Sequence, residues 1–361
     1  MGKLFLFQPA LHSKSFIATL FLVNLPNMQR TFCFWGFSLF LNGFALFGQD
    51  IHWSQFNDNP IFQNPANTGD FIGDTRFIGN FRDQWRSVTL PYQTFSFSID
   101  RKTKSFNYGI LAFHDQAGDG KFRTLELQAN LSKSFKITSD SMHSITAGLN
   151  LGLNHRQLNT DAFYFDSQYN GYIFNPLLPT NENFQTDRKT NLNVGIGALY
   201  TYHVSPRNHL KVGLSAFNLN QPNQGFYQSV VKRDVRWVAQ VKYCQPIADR
   251  WDVLPSIQYS KQGVYDELMV GSSVRYYLPG SDRNYVYKAL LAGVWIRGKD
   301  ADILSVGCEY QDWFVGLSYD INISKLVPAS QARGGFEIAV RYILFRFNPK
   351  RIDHRVCPDF I

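Results

Sequence analysis

The chain has 361 residues, of which 16% are aromatic and 18% charged, with 26 glycines and a formal net charge of +8. A mean hydropathy of −0.23 excludes a polytopic helical membrane protein, whose spans would each need roughly 20 mostly apolar residues. It leaves a membrane β-barrel open, because half of every barrel strand is polar.

Ahead of Gln49 the charged residues are Lys3, Lys14 and Arg30, and two uncharged apolar runs lie at 16–23 and 31–48. The second run has the layout of a signal peptide: Met28-Gln29-Arg30 as a basic start, 32–47 as an apolar core, and Ala45 or Gly48 before the cleavage point. Met28 is therefore expected to be the translation start, with residues 1–27 an upstream extension and the mature chain beginning near Gln49. The competing reading of these runs is an N-terminal anchor helix. Residues 49–73 carry Asn59-Pro60 and Asn64-Pro65-Ala66. Proline cannot donate to a ladder, so this segment is expected to be irregular and to pack at the periplasmic mouth or inside a lumen.

Strand signals then follow at 74–85, 92–101, 106–116, 122–137, 142–156, 192–205, 210–219, 235–246, 252–262, 267–278, 285–297, 302–311, 313–323 and 335–345. In the fourth, Leu125, Leu127, Ala129 and Leu131 oppose Glu126, Gln128, Asn130 and Ser132. In the fifth, Ile145, Ala147, Leu149, Leu151 and Leu153 oppose Thr146, Gly148, Asn150, Gly152 and Asn154. The last two strands repeat the pattern, with Trp313, Val315, Leu317, Tyr319 and Ile321 on one face and Phe336, Ile338, Val340 and Tyr342 on one face of the next. Strands of about ten residues with one greasy and one polar face suit a wall between lipid and a wet interior, and such a wall must close on itself. The fold expected is an all-β transmembrane antiparallel barrel of about 14 strands over 74–346, followed by a periplasmic tail at 347–361. Even-numbered connections read as short turns, while the longest, 157–191, 220–234 and 324–334, are odd-numbered, as expected when short turns face the periplasm.

No catalytic constellation emerges. His143 and Ser144 are adjacent in a strand, where neighbours point to opposite faces, and no nucleophile motif or metal spacing is present. After Cys33 in the leader, Cys244, Cys308 and Cys357 remain, an odd number with no zinc spacing. Cys308 shares an apolar face and is expected to be a packed thiol. Cofactors and metals are not expected, and the scattered basic residues argue against a nucleic-acid partner. Two sets of residues carry the functional expectations. Glu126, Arg275, Glu309, Asp320, Glu337 and Arg341 fall on polar strand faces, where they would line an open channel or form an ion-paired, plugged interior. The long connection holds Phe163, Tyr164, Phe165, Tyr169, Tyr172 and Phe174, an aromatic density suited to anchoring a partner or to self-packing as a lid.

Several motifs in order resemble the PorP/SprF family of outer-membrane proteins of type IX secretion and gliding motility. They are Ser54-Gln55-Phe56, Asn59-Pro60, Asn64-Pro65-Ala66, Arg82-Asp83-Gln84-Trp85, Asp115-Gln116-Ala117-Gly118 and the run Phe217 to Asn223. Near the end come Gly316-Leu317-Ser318-Tyr319-Asp320, Gly334-Gly335-Phe336-Glu337 and Cys357-Pro358. The chain departs from the family pattern at Asn218, where His is frequent, and at Asp359, where a basic residue is usual. The resemblance implies a barrel that is not an enzyme. It would support export or surface attachment of secreted adhesins, or tie the secretion or motility machinery to the outer membrane through periplasmic lipoproteins. The alternative on the same architecture is an outer-membrane porin or solute transporter.

Overall fold

A computed structural model describes residues 50–86, 90–118, 121–159, 163–182, 186–226, 230–281, 288–325 and 327–345. The expected signal peptide, the Met28 start and the tail at 347–361 lie outside the described residues. Fourteen strands form one closed antiparallel barrel in which each strand pairs with its sequence neighbours and the first with the last. They are β1 (Thr75–Gln84), β2 (Tyr92–Arg101), β3 (Asn107–Ala117), β4 (Phe122–Lys136), β5 (His143–Gln157), β6 (Arg188–Ser205) and β7 (Asn208–Phe217). The second half comprises β8 (Arg236–Ala248), β9 (Trp251–Gln262), β10 (Tyr265–Tyr277), β11 (Lys288–Arg297), β12 (Ala301–Tyr310), β13 (Trp313–Asn322) and β14 (Arg333–Leu344). Closure runs the full length of β1, from Thr75 opposite Leu344 to Gln84 opposite Gly335.

The period-two pattern dictates which way each side chain points. Leu125, Leu127, Leu131, Leu149, Leu151, Leu153, Val315 and Leu317 are exposed on the outer surface, while Glu126, Gln128, Asn130, Ser132, Ser318, Asp320 and Glu337 are buried inside. The outer apolar face is bordered by aromatic pairs. Trp251 stacks on Tyr276 and Trp313 on Tyr342, each with ring centroids 4.6 Å apart. Trp251, Tyr276 and Trp313 sit where strands meet the even-numbered turns, and Tyr342 lies opposite Trp313 at the same level, the position of an interfacial girdle. His143 joins this border, stacked 4.7 Å from Tyr202 with its Nδ1 2.8 Å from the Tyr200 hydroxyl. Cys308 lies on the same outer face and is exposed, so the packed thiol expected there is not found; of the two cysteines among the described residues, Cys244 is the buried one. The expectation failed because apolar neighbours on an outward face offer lipid contact rather than a protein core.

Strand ends also differ from the sequence reading. β6 begins at Arg188, because pairing with β5 continues to Gln157 opposite Arg188. The parity of connections is looser too: 278–287 is even-numbered and as long as 323–332, and the odd-numbered 263–264 and 298–300 are short. Only 158–187 and 218–235 stand clear of the rest. They share one end of the barrel, the loop end; the even-numbered connections form the turn end.

Residues 50–73 lie within the lumen. They form the 3-10 turn Phe56–Asp58, the single helical turn Pro60–Gln63 and the 3-10 turn Pro65–Asn67. In both Pro60 and Pro65 the fixed φ and missing N–H suit the first position of a turn. The segment is threaded lengthwise: Asp50 meets Gln262 at the loop end, and Asp74 donates to the Leu344 carbonyl at the turn end, where β1 begins.

Arginine placed mid-strand on the outer face, as Leu127→Arg or Leu317→Arg, is expected to cost about 2 to 4 kcal/mol because the charge must leave water for hydrocarbon. Leu127→Met should be nearly neutral. Urea unfolding in lipid vesicles measures both, and equal losses for arginine and methionine would show that this face does not meet lipid.

Candidate functional site: the filled lumen and the loop-end mouth

The polar face of the wall was to be either a channel lining or one half of an ion-paired interior, and its charges meet the lumenal segment directly. Asp320 on β13 accepts from the Ser54 hydroxyl at 2.8 Å, from Arg82 at 3.0 Å and from Arg297 at 3.1 Å. Glu337 on β14 accepts the backbone N–H groups of Ser54 at 2.7 Å and Gln55 at 2.9 Å, and lies 3.6 Å from Arg82. Gln55 Nε2 donates in turn to the Glu337 carbonyl at 2.8 Å, and Arg82 to the His52 carbonyl at 2.9 Å. Arg297 also donates to the Ser54 hydroxyl at 2.7 Å, so the stretch from His52 to Gln55 is gripped by four strands, β1, β11, β13 and β14. Each buried charge here has an opposite charge beside it, the condition under which such groups persist away from water.

Glu126 on β4 belongs to a second cluster. It accepts from Gln128 at 2.7 Å, Asn154 at 2.7 Å and Arg233 at 3.0 Å. Arg233, from the 218–235 connection, also bonds Asp50 at 2.9 Å, so one guanidinium ties the wall, a loop and the lumenal segment together. Burial alone would raise the Asp50 carboxyl, but Arg233, Arg236 and Arg156 outweigh it and hold the group below the usual carboxylate range. Burial alone would lower Arg233, and its two carboxylates reverse that sign. Glu309, Arg275 and Arg341 form a third cluster nearer the turn end. Arg275 and Arg341 flank Glu309 at 3.1 and 2.9 Å, and Arg341 reaches Asp58 of the lumenal segment at 3.2 Å. All six wall residues singled out from the sequence therefore face the lumen, in three clusters.

Sequence reasoning missed Asp50, Arg82, Arg233 and Arg297 as members. Arg82 stood in a motif, Arg82-Asp83-Gln84-Trp85, whose partners could not be read from it. It also missed the apolar contacts. Leu111, Phe113, Met269, Trp295 and Ile303 point inward, against the polar rule, because the lumenal segment packs on them. Trp53, Ile61 and Phe62 cluster with Leu111 and Phe113, and Phe56 with Met269, Trp295 and Ile303.

The Asn64-Pro65-Ala66 motif has its own seat. Asn64 Nδ2 donates to the carbonyls of Ala198 at 3.0 Å and Leu214 at 3.2 Å, and its Oδ1 accepts the Ala66 N–H at 2.8 Å. Beneath it lie Gly148 and Gly197, where an added Cβ would fall on the Ala66 backbone nitrogen and on Asn64 Oδ1. Only glycine permits that approach.

At the loop-end mouth, the 158–187 connection divides its aromatics. Phe163 packs on Phe165 and Tyr164 on Phe174, with centroids 6.3 and 4.7 Å apart, around a buried Gln168. Tyr169 forms a bridge with Phe174. Tyr172 remains 91% exposed, Leu177 90% and Tyr164 81%. Self-packing and an outward apolar display therefore coexist in one loop.

Among known families, the sequence pattern described as Type IX secretion system membrane protein PorP/SprF matches residues 45–342. No curated protein matches the chain. Among solved structures, the Ralstonia pickettii toluene transporter TbuX is 11% identical, with 80% of this chain and 94% of that one covered at a TM-score of 0.49. A Pseudomonas aeruginosa FadL homologue is 12% identical, covering 79% and 94% at 0.45. The P. putida toluene transporter TodX is 13% identical, covering 81% and 95% at 0.45.

Arg82→Met strips two buried carboxylates of a cation and is expected to destabilise the barrel by about 3 to 5 kcal/mol, with Glu337→Gln in the same chain recovering part of the loss. Denaturant titration of the two variants in detergent checks this; no recovery in the double variant would mean that Arg82 acts through packing alone. Valine at Gly148 or Gly197 should lift the Asn64-Pro65-Ala66 turn off the wall without touching the outer face. Planar-bilayer conductance should then rise above that of the native chain while heat-resistant folded barrel is retained.

Proposed function

This chain belongs to the PorP/SprF family of type IX secretion system membrane proteins, and we propose that it serves there as a non-enzymatic outer-membrane barrel that holds a protein partner at its loop-end mouth. The loop end faces outward on this reading, since short turns face the periplasm in such barrels. The partner is an adhesin-type substrate of the secretion system, exported or retained at the cell surface. Contacts to secretion or motility components and periplasmic lipoproteins fall at the turn end. The N-terminal signal peptide is removed near Gln49.

The observation that carries this reading is the lumenal segment. Residues 50–73 are fastened by three charge clusters, through Ser54 on Asp320, Asp50 on Arg233 and Arg236, and Asp58 on Arg341, and are seated on two glycines. A porin needs a continuous wet path, whereas this interior is spent on holding a segment in place. What remains available to partners is the outward display of Tyr172, Leu177 and Tyr164. Exposed aromatic and aliphatic side chains on a loop with a packed base are suited to protein contacts, because little ordering is lost when they are buried.

Removing residues 164–179 and closing the gap with a short glycine-serine bridge is expected to leave the barrel assembled and to lower surface display of the cognate adhesin. Flow cytometry against the adhesin, with outer-membrane fractionation of the barrel, measures both quantities. Unchanged display together with porin-like conductance of the purified variant would make the loop a lid and the protein a channel.

A further inference from the structure

Between the lumenal segment and strands β6 to β14 and β1, toward the turn end, lies a cavity of about 290 Å³. Arg76, Lys211, Lys242, Arg275 and Arg341 line it, and four of these five cations are compensated. Arg76 pairs with Asp100 at 2.8 Å, Lys211 with Asp70 at 2.6 Å, Arg275 with Glu309 at 3.1 Å, and Arg341 with both Glu309 and Asp58. Lys242 differs: among the described residues it makes no ion pair and no hydrogen bond, and its ammonium stands 5.9 Å from the centre of the Phe56 ring. Phe56 meets Trp295 edge to face at 5.2 Å, so the unmatched cation borders an aromatic wall. On the same cavity, His209 Nδ1 is buried with no hydrogen-bond partner among the described residues.

We propose that this cavity is a binding site for a small organic monocarboxylate, its carboxylate on Lys242 and its apolar body against Phe56 and Trp295. Among the described residues Lys242 has no paired carboxylate, so one negative charge beside it would hold its buried ammonium in the protonated form. An inorganic dianion would bring a second charge with no partner and would leave the aromatic wall unfilled; a metal ion would meet net positive charge. The volume lies near the lower limit of small-molecule pockets and suits a ligand of about ten non-hydrogen atoms. The apolar body contributes because ring surface leaves water for an aromatic wall, and the carboxylate contributes because a charge-assisted bond forms where the dielectric is low. Occupancy is independent of the secretion role and requires no passage through the barrel.

Calorimetric titration of the full mature chain in detergent with sodium benzoate, and separately with octanoate, tests the site, with sodium chloride and sodium phosphate as controls. One or both carboxylates should bind with micromolar to millimolar affinity, above either inorganic anion. Lys242→Met, which keeps the aliphatic stem and removes the charge, should weaken binding at least tenfold, and Lys242→Arg should retain most of it. Gel mobility before and after heating verifies that each variant is folded. Absence of carboxylate binding, phosphate binding as tight as benzoate, or native affinity in Lys242→Met would overturn the assignment. Should Lys242→Met fail to fold, the anion comparison on the native chain and the Lys242→Arg result decide it alone.

Discussion

A sheet surrounded by hydrocarbon cannot keep an edge of unpaired N–H and C=O groups, and the pairing of β1 with β14 removes that edge. Everything else in this protein follows from closure. It separates an outer face that must be apolar from an inner face that must not be lipid, and it makes the interior a space the chain itself has to fill. It also brings residues from the two ends of the chain side by side, so that Arg82 and Glu337 face each other across the seam.

The interior is filled by a segment with little regular structure, and the physical demand on such a segment is severe. Its backbone groups lie away from bulk water and cannot join a ladder, so they need partners elsewhere. Glu337 takes two N–H groups, Arg82 takes the His52 carbonyl, and Ser215 donates to the Gln63 carbonyl at 2.6 Å. The charged residues of the wall are therefore better understood as partners for a buried backbone than as a lining for ions. Cations and carboxylates balance through much of the lumen; among the described residues Lys242, toward the turn end, and Arg156, which bonds Gln224 at the loop end, stand outside the ion pairs.

The loop-end mouth obeys a different economy. Its long connection is organised around Gln168, whose side chain donates to the Leu178 carbonyl at 3.2 Å and whose own carbonyl accepts from Asn175 at 2.8 Å. This inner scaffold allows Tyr172 and Leu177 to stand in solvent without collapsing onto the barrel. A loop that ordered itself only on contact would lose more entropy in binding than one already packed at its base.

The sequence by itself determined the strand count, the closed antiparallel barrel and the facing of residues such as Leu127, Leu317 and Glu126. Alternation with period two is a local property, visible in ten residues without knowledge of their neighbours. It also marked all six wall charges as lumenal and Asn64-Pro65-Ala66 as non-strand. Tertiary structure alone decided that residues 50–73 run the length of the lumen, that Asp50 and Arg233 complete the Glu126 cluster, and that Leu111, Met269 and Trp295 point inward despite being apolar. The reason is the register of closure: it sets residues more than 200 positions apart, such as Ser54 and Asp320, within a hydrogen bond of each other. No local pattern records that separation.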